Sequence, residues 1–236
     1  MKLHFGITLT ALCALSACTQ QLAPNPASPV TRQQAIDIAH SYVNLKWTAE
    51  ERHRMHGKDP SGQWVDTPDA AAASTIGSTA WWKVGTNESM PYKWGGFDTP
   101  EQFTARLAND DTVYAGDYAS ATKIAGGDDS VSTYAAGIDC SGYVSRCWLL
   151  ERPYSTRELA GLCTALPDFS ELQPGDILLR KGVHVLLFYK WANAEHSAVY
   201  VFESTRTPQS KCLIARWSIN SLRKHGYFPW RYKNIR

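Results

Sequence analysis

The last third of the chain is cut by turn signals into pieces of one kind. From Gln173 onward, five short runs rich in β-branched, aromatic and other apolar residues (Ile177 to Leu179, Val183 to Trp191, Ser197 to Glu203, Cys212 to Trp217 and Tyr227 to Tyr232) alternate with polar breaks. Gln173-Pro174-Gly175-Asp176, just before the first run, has the Pro and Gly of a type II turn at its two central places. Upstream the clearest periodicity is helical, so the chain reads as helices followed by an antiparallel sheet, an α+β arrangement. Hydrophobic residues at 44% and aromatics at 11% of 236 residues suffice for a single core. The charge balance of 24 basic against 22 acidic residues carries no general affinity for polyanions, which argues against a nucleic-acid partner.

The N-terminus obeys a different rule. Lys2 precedes a largely apolar stretch from Phe5 to Leu15, too short to persist as a membrane-spanning helix. Leu15-Ser16-Ala17-Cys18 follows, and it resembles the bacterial lipobox. That resemblance implies a signal peptide over residues 1–17, a lipid on Cys18 and a protein held at the membrane of a bacterial envelope, on the periplasmic face of the outer membrane where one exists. An exported chain lives where disulfides form. Of 6 cysteines, Cys13 leaves with the signal and Cys18 takes the lipid, so Cys140, Cys147, Cys163 and Cys212 remain. They contain no CxxC pair that would suggest zinc, and if one stays free for chemistry they form at most one bridge.

Residues 18–30, with Pro24, Pro26 and Pro29 among small and polar neighbours, read as a tether. Thr31-Arg32-Gln33-Gln34 has the form of a capping box, and Ala35, Ile38, Ala39, Tyr42 and Val43 share one face of a helix running to about Leu45 or Trp47. Residues 31–75 are thus expected to be a helical extension. His53 and His56 have the look of a metal pair, but a charged stretch before Asp59-Pro60-Ser61-Gly62 reads as solvated surface. A further helix is expected from about Ala71 to Val84. The polar region 97–138, with one helical candidate from Pro100 to Leu107, reads as an insertion able to wall a site. The basic end (Arg223, Lys224, Arg231, Lys233 and Arg236) reads as a solvated strand edge.

Chemistry concentrates at Asp139-Cys140-Ser141-Gly142, directly before a predicted helix from Ser141 to Leu150. A cysteine there faces unpaired backbone N–H groups and the positive end of the helix dipole, the surroundings a thiolate nucleophile needs. Taken alone, Cys140 is equally well a small buried apolar residue. A nucleophile also needs an acid/base partner, and Val183-His184-Val185 places a histidine at the mouth of an apolar strand.

With these residues the chain resembles the NlpC-type murein peptidases, small papain-like cysteine peptidases of bacterial envelopes. The resemblance rests on Pro91-Tyr92-Lys93-Trp94-Gly95-Gly96, Asp139-Cys140-Ser141-Gly142-Tyr143-Val144, Leu172-Gln173-Pro174-Gly175-Asp176 and His184-Val185, in the family's order. It makes residues 76–236 the catalytic domain and implies a papain-like fold. It further implies Cys140 as nucleophile, His184 as general base and acid, Tyr92 as a helper at the oxyanion, and Asp139, Ser141 and Trp94 against the substrate. The gap from Gly96 to Asp139 is longer than the family's, so the groove is reshaped. The third catalytic place, commonly His, here matches Glu203. A hairpin centred on Asn193-Ala194 sets His184 directly opposite Glu203.

The implied activity is hydrolysis of a peptide bond in peptidoglycan stem peptides, between D-glutamate and diaminopimelate, through a thioester on Cys140. The alternatives are an N-acetylmuramoyl-L-alanine amidase on the same fold and a catalytically silent envelope-binding lipoprotein. The expected partners are stem peptides and the membrane, with the chain acting as a monomer. Nothing in the sequence calls for a metal or a cofactor.

Overall fold

The computed structural model describes residues 29–72 and 79–236. The leader, Cys18 and all but the end of the tether lie outside the described residues, as does the middle of the helix expected from Ala71 to Val84.

The first helix spans Arg32–Val43 and begins as its sequence dictates: Thr31 Oγ1 accepts from Gln34 N at 3.1 Å and Thr31 N donates to Gln34 Oε1 at 2.9 Å. It buries Ala35, Ile36, Ala39 and Tyr42. Beyond Val43 the expected helical extension is replaced by three short strands, β1 (Lys46–Ala49), β2 (His56–Lys58) and β3 (Trp64–Asp66). β1 pairs antiparallel with β4 (Gly85–Glu88), and the described start of the segment expected to be a helix from Ala71 to Val84 is a 3-10 turn, Ala70–Ala72. The reason is aromatic packing: Trp47, Trp81, Trp82 and Phe103 meet edge to face, and a β1–β4 pair brings Trp47 to the others. His53 is also not the solvated residue expected. It is 1% exposed, with Nδ1 accepting from Glu50 N and Nε2 3.3 Å from the Leu107 carbonyl.

The 97–138 insertion is structured. It carries helices Pro100–Asn109 and Ala121–Gly126 and the two-residue strands β5 (Tyr114–Ala115) and β6 (Ala135–Ala136), which pair in parallel. Its two ends are tied together, since Asp98 accepts from Gly137 N at 2.8 Å and from Arg106 at 2.8 Å. A loop closed at its base costs the fold little however long it is.

The helix Cys140–Cys147 follows, shorter at its end than predicted, and then β7 (Cys163–Ala165), β8 (Ile177–Arg180), β9 (His184–Trp191), β10 (Ala198–Thr205), β11 (Lys211–Ser218), a short helix Ile219–Lys224 and β12 (Phe228–Tyr232). The five predicted strands are all present. They join β7 in one antiparallel sheet in the order β11-β10-β9-β8-β12-β7. The Gln173–Asp176 turn closes with Asp176 N donating to the Gln173 carbonyl at 2.9 Å, and Gly175 takes φ of 85°, as a type II turn requires.

The sheet packs on both faces, which makes the architecture α+β. Val185, Leu187, Phe202 and Cys212 enter the larger core beneath the Cys140–Cys147 and Arg32–Val43 helices, while Leu186, Phe188, Val199 and Val201 meet Ile219 and Leu222 on the other side. β12 is an interior strand and not the solvated edge expected of the basic C-terminus. Its Arg231 reaches Asp176 at 2.8 Å, and Arg32 reaches the same carboxylate at 3.0 Å, so one fully buried acid ties the first helix, the turn and the last strand together.

Candidate active site

The site is built where the Cys140–Cys147 helix begins. Asp139 is the N-cap: its Oδ1 accepts from Gly142 N at 2.6 Å and from Ser141 Oγ at 2.9 Å. Tyr143, Val144 and Cys147 face the core, and the Tyr143 hydroxyl donates to the Ala39 carbonyl at 2.6 Å. Cys140, the first helical residue, is 9% exposed. Gly142 has a steric reason to be glycine, because a Cβ there would overlap the Gly96 carbonyl oxygen. Gly96 in turn leaves 2.5 Å between a hypothetical Cβ and the Gly137 carbonyl. The two glycines let the 91–96 segment lie against the helix's first turn, which is why the two motifs meet.

His184 opens β9, after a turn in which Val183 N donates to the Arg180 carbonyl at 2.9 Å. Its Nε2 lies 3.0 Å from Glu203 Oε2. The Cys140 thiol lies within reach of the same ring. Burial by itself pushes the imidazole down. The Cys140 charge and hydrogen bond, followed by the Glu203 hydrogen bond and charge, outweigh burial and raise the imidazole to about 10. Glu203, 6% exposed, takes a second donor from Trp217 Nε1 at 3.4 Å. An acid so buried is tolerable only when paired, since stripping the partner from a buried charge costs about 3–5 kcal/mol.

The path by which Glu203 reaches His184 is not the predicted one. The turn is longer than Asn193-Ala194: Asn193 Oδ1 accepts from Ser197 N and Ala198 N, and His196 takes φ of 53°. Trp191 therefore pairs with Val199 and Lys190 with Tyr200. A bulge at Tyr189 then moves the pairing to Phe188 with Val201 and Leu187 with Phe202. Continued from there, Glu203 faces Leu186, and His184 is its diagonal neighbour on the same face.

Tyr92 lies in a segment that bridges to Ile138, two residues before Cys140. Burial, then the charges of Cys140 and Asp139, hold its phenol well above the ordinary tyrosine range, so it remains a protonated donor beside the thiol. Trp94 serves the fold: its Nε1 donates to the Gly127 carbonyl at 3.1 Å, fastening the insertion. Ser141 is half exposed and spends its hydroxyl on the Asp139 carboxylate. Cys140, Cys147, Cys163 and Cys212 are all free and buried. Burial pushes Cys147 well up, and pushes Cys163 to about 12.

Sequence reasoning missed Trp217, which meets Glu203 from β11, and Tyr227, whose ring stands edge-on to His184 at 6.5 Å. Both lie within predicted strands, but no local signal marks them, because their contacts form between strands distant in sequence. A cleft of about 430 Å³ opens instead at the far end of the Cys140–Cys147 helix, between Tyr42, Pro100 and Leu150, and none of the residues above lines it. Set against the known protein families, the curated proteins and the solved structures, the chain matches none.

Proposed function

We infer that this chain is a papain-like cysteine hydrolase of the NlpC type, acting on peptide bonds of peptidoglycan stem peptides. The observation that carries the reading is the grouping of Cys140, His184 and Glu203, in which one imidazole stands within reach of a thiol at a helix N-terminus and holds a buried carboxylate 3.0 Å from its Nε2. A purely structural His–Glu pair has no need of the thiol.

The chemistry follows from the geometry. Glu203 accepts the Nε2 proton of His184, and the ring, raised to about 10, takes the Cys140 proton on its other nitrogen and holds it as an imidazolium beside the sulfur. The sulfur attacks the carbonyl carbon, and the oxygen that gains charge accepts a hydrogen bond from the Tyr92 phenol. As the tetrahedral adduct collapses, His184 returns the proton to the leaving amine, and a thioester remains on Cys140. The imidazole then deprotonates a water, which attacks the thioester, releasing the acid and restoring the thiol. The likeness in motif order supports stem peptides as the substrate and the D-glutamyl-diaminopimelate bond as the target. The lipobox supports an anchor in the bacterial envelope.

The test is digestion of purified sacculi by the intact chain and by Cys140→Ala, with mass spectrometry of the released fragments. New amino ends on diaminopimelate, absent with Cys140→Ala, are the expected result. Fragments ending at the lactyl group of muramic acid would make the enzyme an amidase instead, and no release by a folded wild type would remove the hydrolase reading.

A further inference from the structure

We propose that the outer face of the β2–β3 hairpin is a saccharide platform, where Trp64 stacks against one pyranose ring of a glycan chain and His56, Lys58 and Asp66 meet its hydroxyls. The platform needs neither Cys140 nor turnover, so it stands apart from the hydrolase reading. Of the chain's 9 tryptophans, Trp64 alone is more than half exposed, at 51%.

A lone exposed apolar side chain calls for no explanation. This one is fixed in place and has company. Its Nε1 donates to Asp66 Oδ2 at 2.7 Å, which sets the tilt of the indole. Strand alternation sends Val65 inward, where it is fully buried, and leaves Trp64 and Asp66 on the outer face. The register sets Lys58 across from Trp64 and His56 across from Asp66, so the four side chains share that face. Lys58 is exposed and meets no charged partner among the described residues. His56 joins the face to the interior, with Nε2 2.9 Å from Asp69 Oδ2 and Nδ1 3.5 Å from Asp66 Oδ1.

Strands of three residues are too short to hold themselves together, and three buried acids hold this pair. Asp59 Oδ1 accepts from Ser61 N, Ser61 Oγ and Gln63 N, closing the turn, while its Oδ2 accepts from Ser132 of the insertion. Asp69 takes the Thr67 hydroxyl at 2.7 Å besides His56. Asp117 Oδ1 accepts from Asp66 N at 3.2 Å. Asp59 is 5% exposed, and Asp69 and Asp117 are fully buried. Such support behind a solvent-facing surface preorganises it, and a side chain already held in place loses little freedom when a ligand arrives.

Charge selects the ligand. Asp66 at the edge of the indole disfavours an anion, and Lys58 across the ladder disfavours a cation. An uncharged body with a flat apolar face and a polar perimeter suits both. A pyranose with equatorial substituents is such a body: its C–H bonds meet the negative face of the indole, and its hydroxyls donate to Asp66 and accept from Lys58.

The probe is chitotetraose, a β-linked chain of equatorially substituted pyranoses, titrated into the full chain carrying isotope-labelled nitrogen and followed by NMR. The Trp64 indole N–H signal is the one missing from Trp64→Phe. Chitotetraose is expected to shift this signal saturably. The affinity, read from backbone signals of the hairpin, should fall ~10-fold or more in Trp64→Ala and only about threefold in Trp64→Phe, which keeps an aromatic face. The wild-type shift is read without Trp64→Ala, so the proposal can fail even if that variant does not fold. No shift of the Trp64 signal up to the solubility limit of the sugar overturns the proposal, and with melting temperatures lowered in both variants it would reduce Trp64 to a brace of the hairpin. An affinity unchanged in Trp64→Ala also overturns it. So does a response to alanyl-alanine as large as that to chitotetraose, which would make the face a peptide site.

Discussion

Phe188 and Trp191, three residues apart in one strand, place their rings on the same face with centroids 5.4 Å apart. In an unbroken strand residues at that spacing point opposite ways. The extra residue Tyr189 reverses the alternation between them, and the same reversal decides the candidate site. If the pairing of Trp191 with Val199 ran on without the bulge, His184 would face Arg206 and Glu203 would lie on the opposite side of the sheet. With it, His184 and Glu203 share a face and meet at 3.0 Å.

Glu203→Ala is expected to lower turnover by ~10² or more, with Glu203→Gln falling less because an amide oxygen still accepts the imidazole N–H. The pH profile separates orientation from packing. The alkaline limb in the intact protein should lie well above 6.5, since the imidazole is raised to about 10, and should move downward in Glu203→Ala as one of the raising interactions goes. A limb that stays in place while activity falls would make Glu203 a packing residue.

The two cysteines of the Cys140–Cys147 helix should behave oppositely toward a thiol-directed probe. Cys140 is expected to label and Cys147, fully buried with its thiol pushed well up by burial, to stay silent in the folded protein. In Cys140→Ala the largest raising influence on His184 is gone, so its titration, followed by NMR, should drop toward the value that burial favours. The raised imidazole stabilises the folded state in full below 6.5, and that contribution is lost as pH rises through about 10. The Cys140→Ala protein should therefore lose less stability than the wild type across this window, as measured by denaturation at several pH values.

Asp176→Ala removes the acid that Arg32 and Arg231 share. Breaking a buried pair from one side costs about 3–5 kcal/mol, so the melting temperature should fall by on the order of 10 °C in thermal denaturation. A change of only a degree or two would mean that solvent replaces the carboxylate without loss.

Cys18→Ser should abolish acyl labelling and release the protein from membranes into the soluble fraction. Unchanged membrane association of Cys18→Ser would remove the lipobox reading and leave the proline-containing tether without its purpose.

The residues by themselves determined the α+β order, the five C-terminal strands, the Gly175 turn, the helix behind Cys140 and the pairing of chemistry in Cys140 and His184. These rest on periodicity, capping and turn residues, which act over a few positions and so can be read along the chain. Tertiary structure alone decided that residues beyond Val43 form strands around Trp47, that Trp94 fastens an insertion, and that Arg231 belongs to an interior strand. Each depends on which partner a side chain finds across a long separation in sequence. The meeting of Glu203 with His184 shows the division most sharply: the composition of both strands was legible, but a longer turn and one bulged residue set the face, and since strand alternation has a period of two, a single extra residue is enough to make or undo the contact.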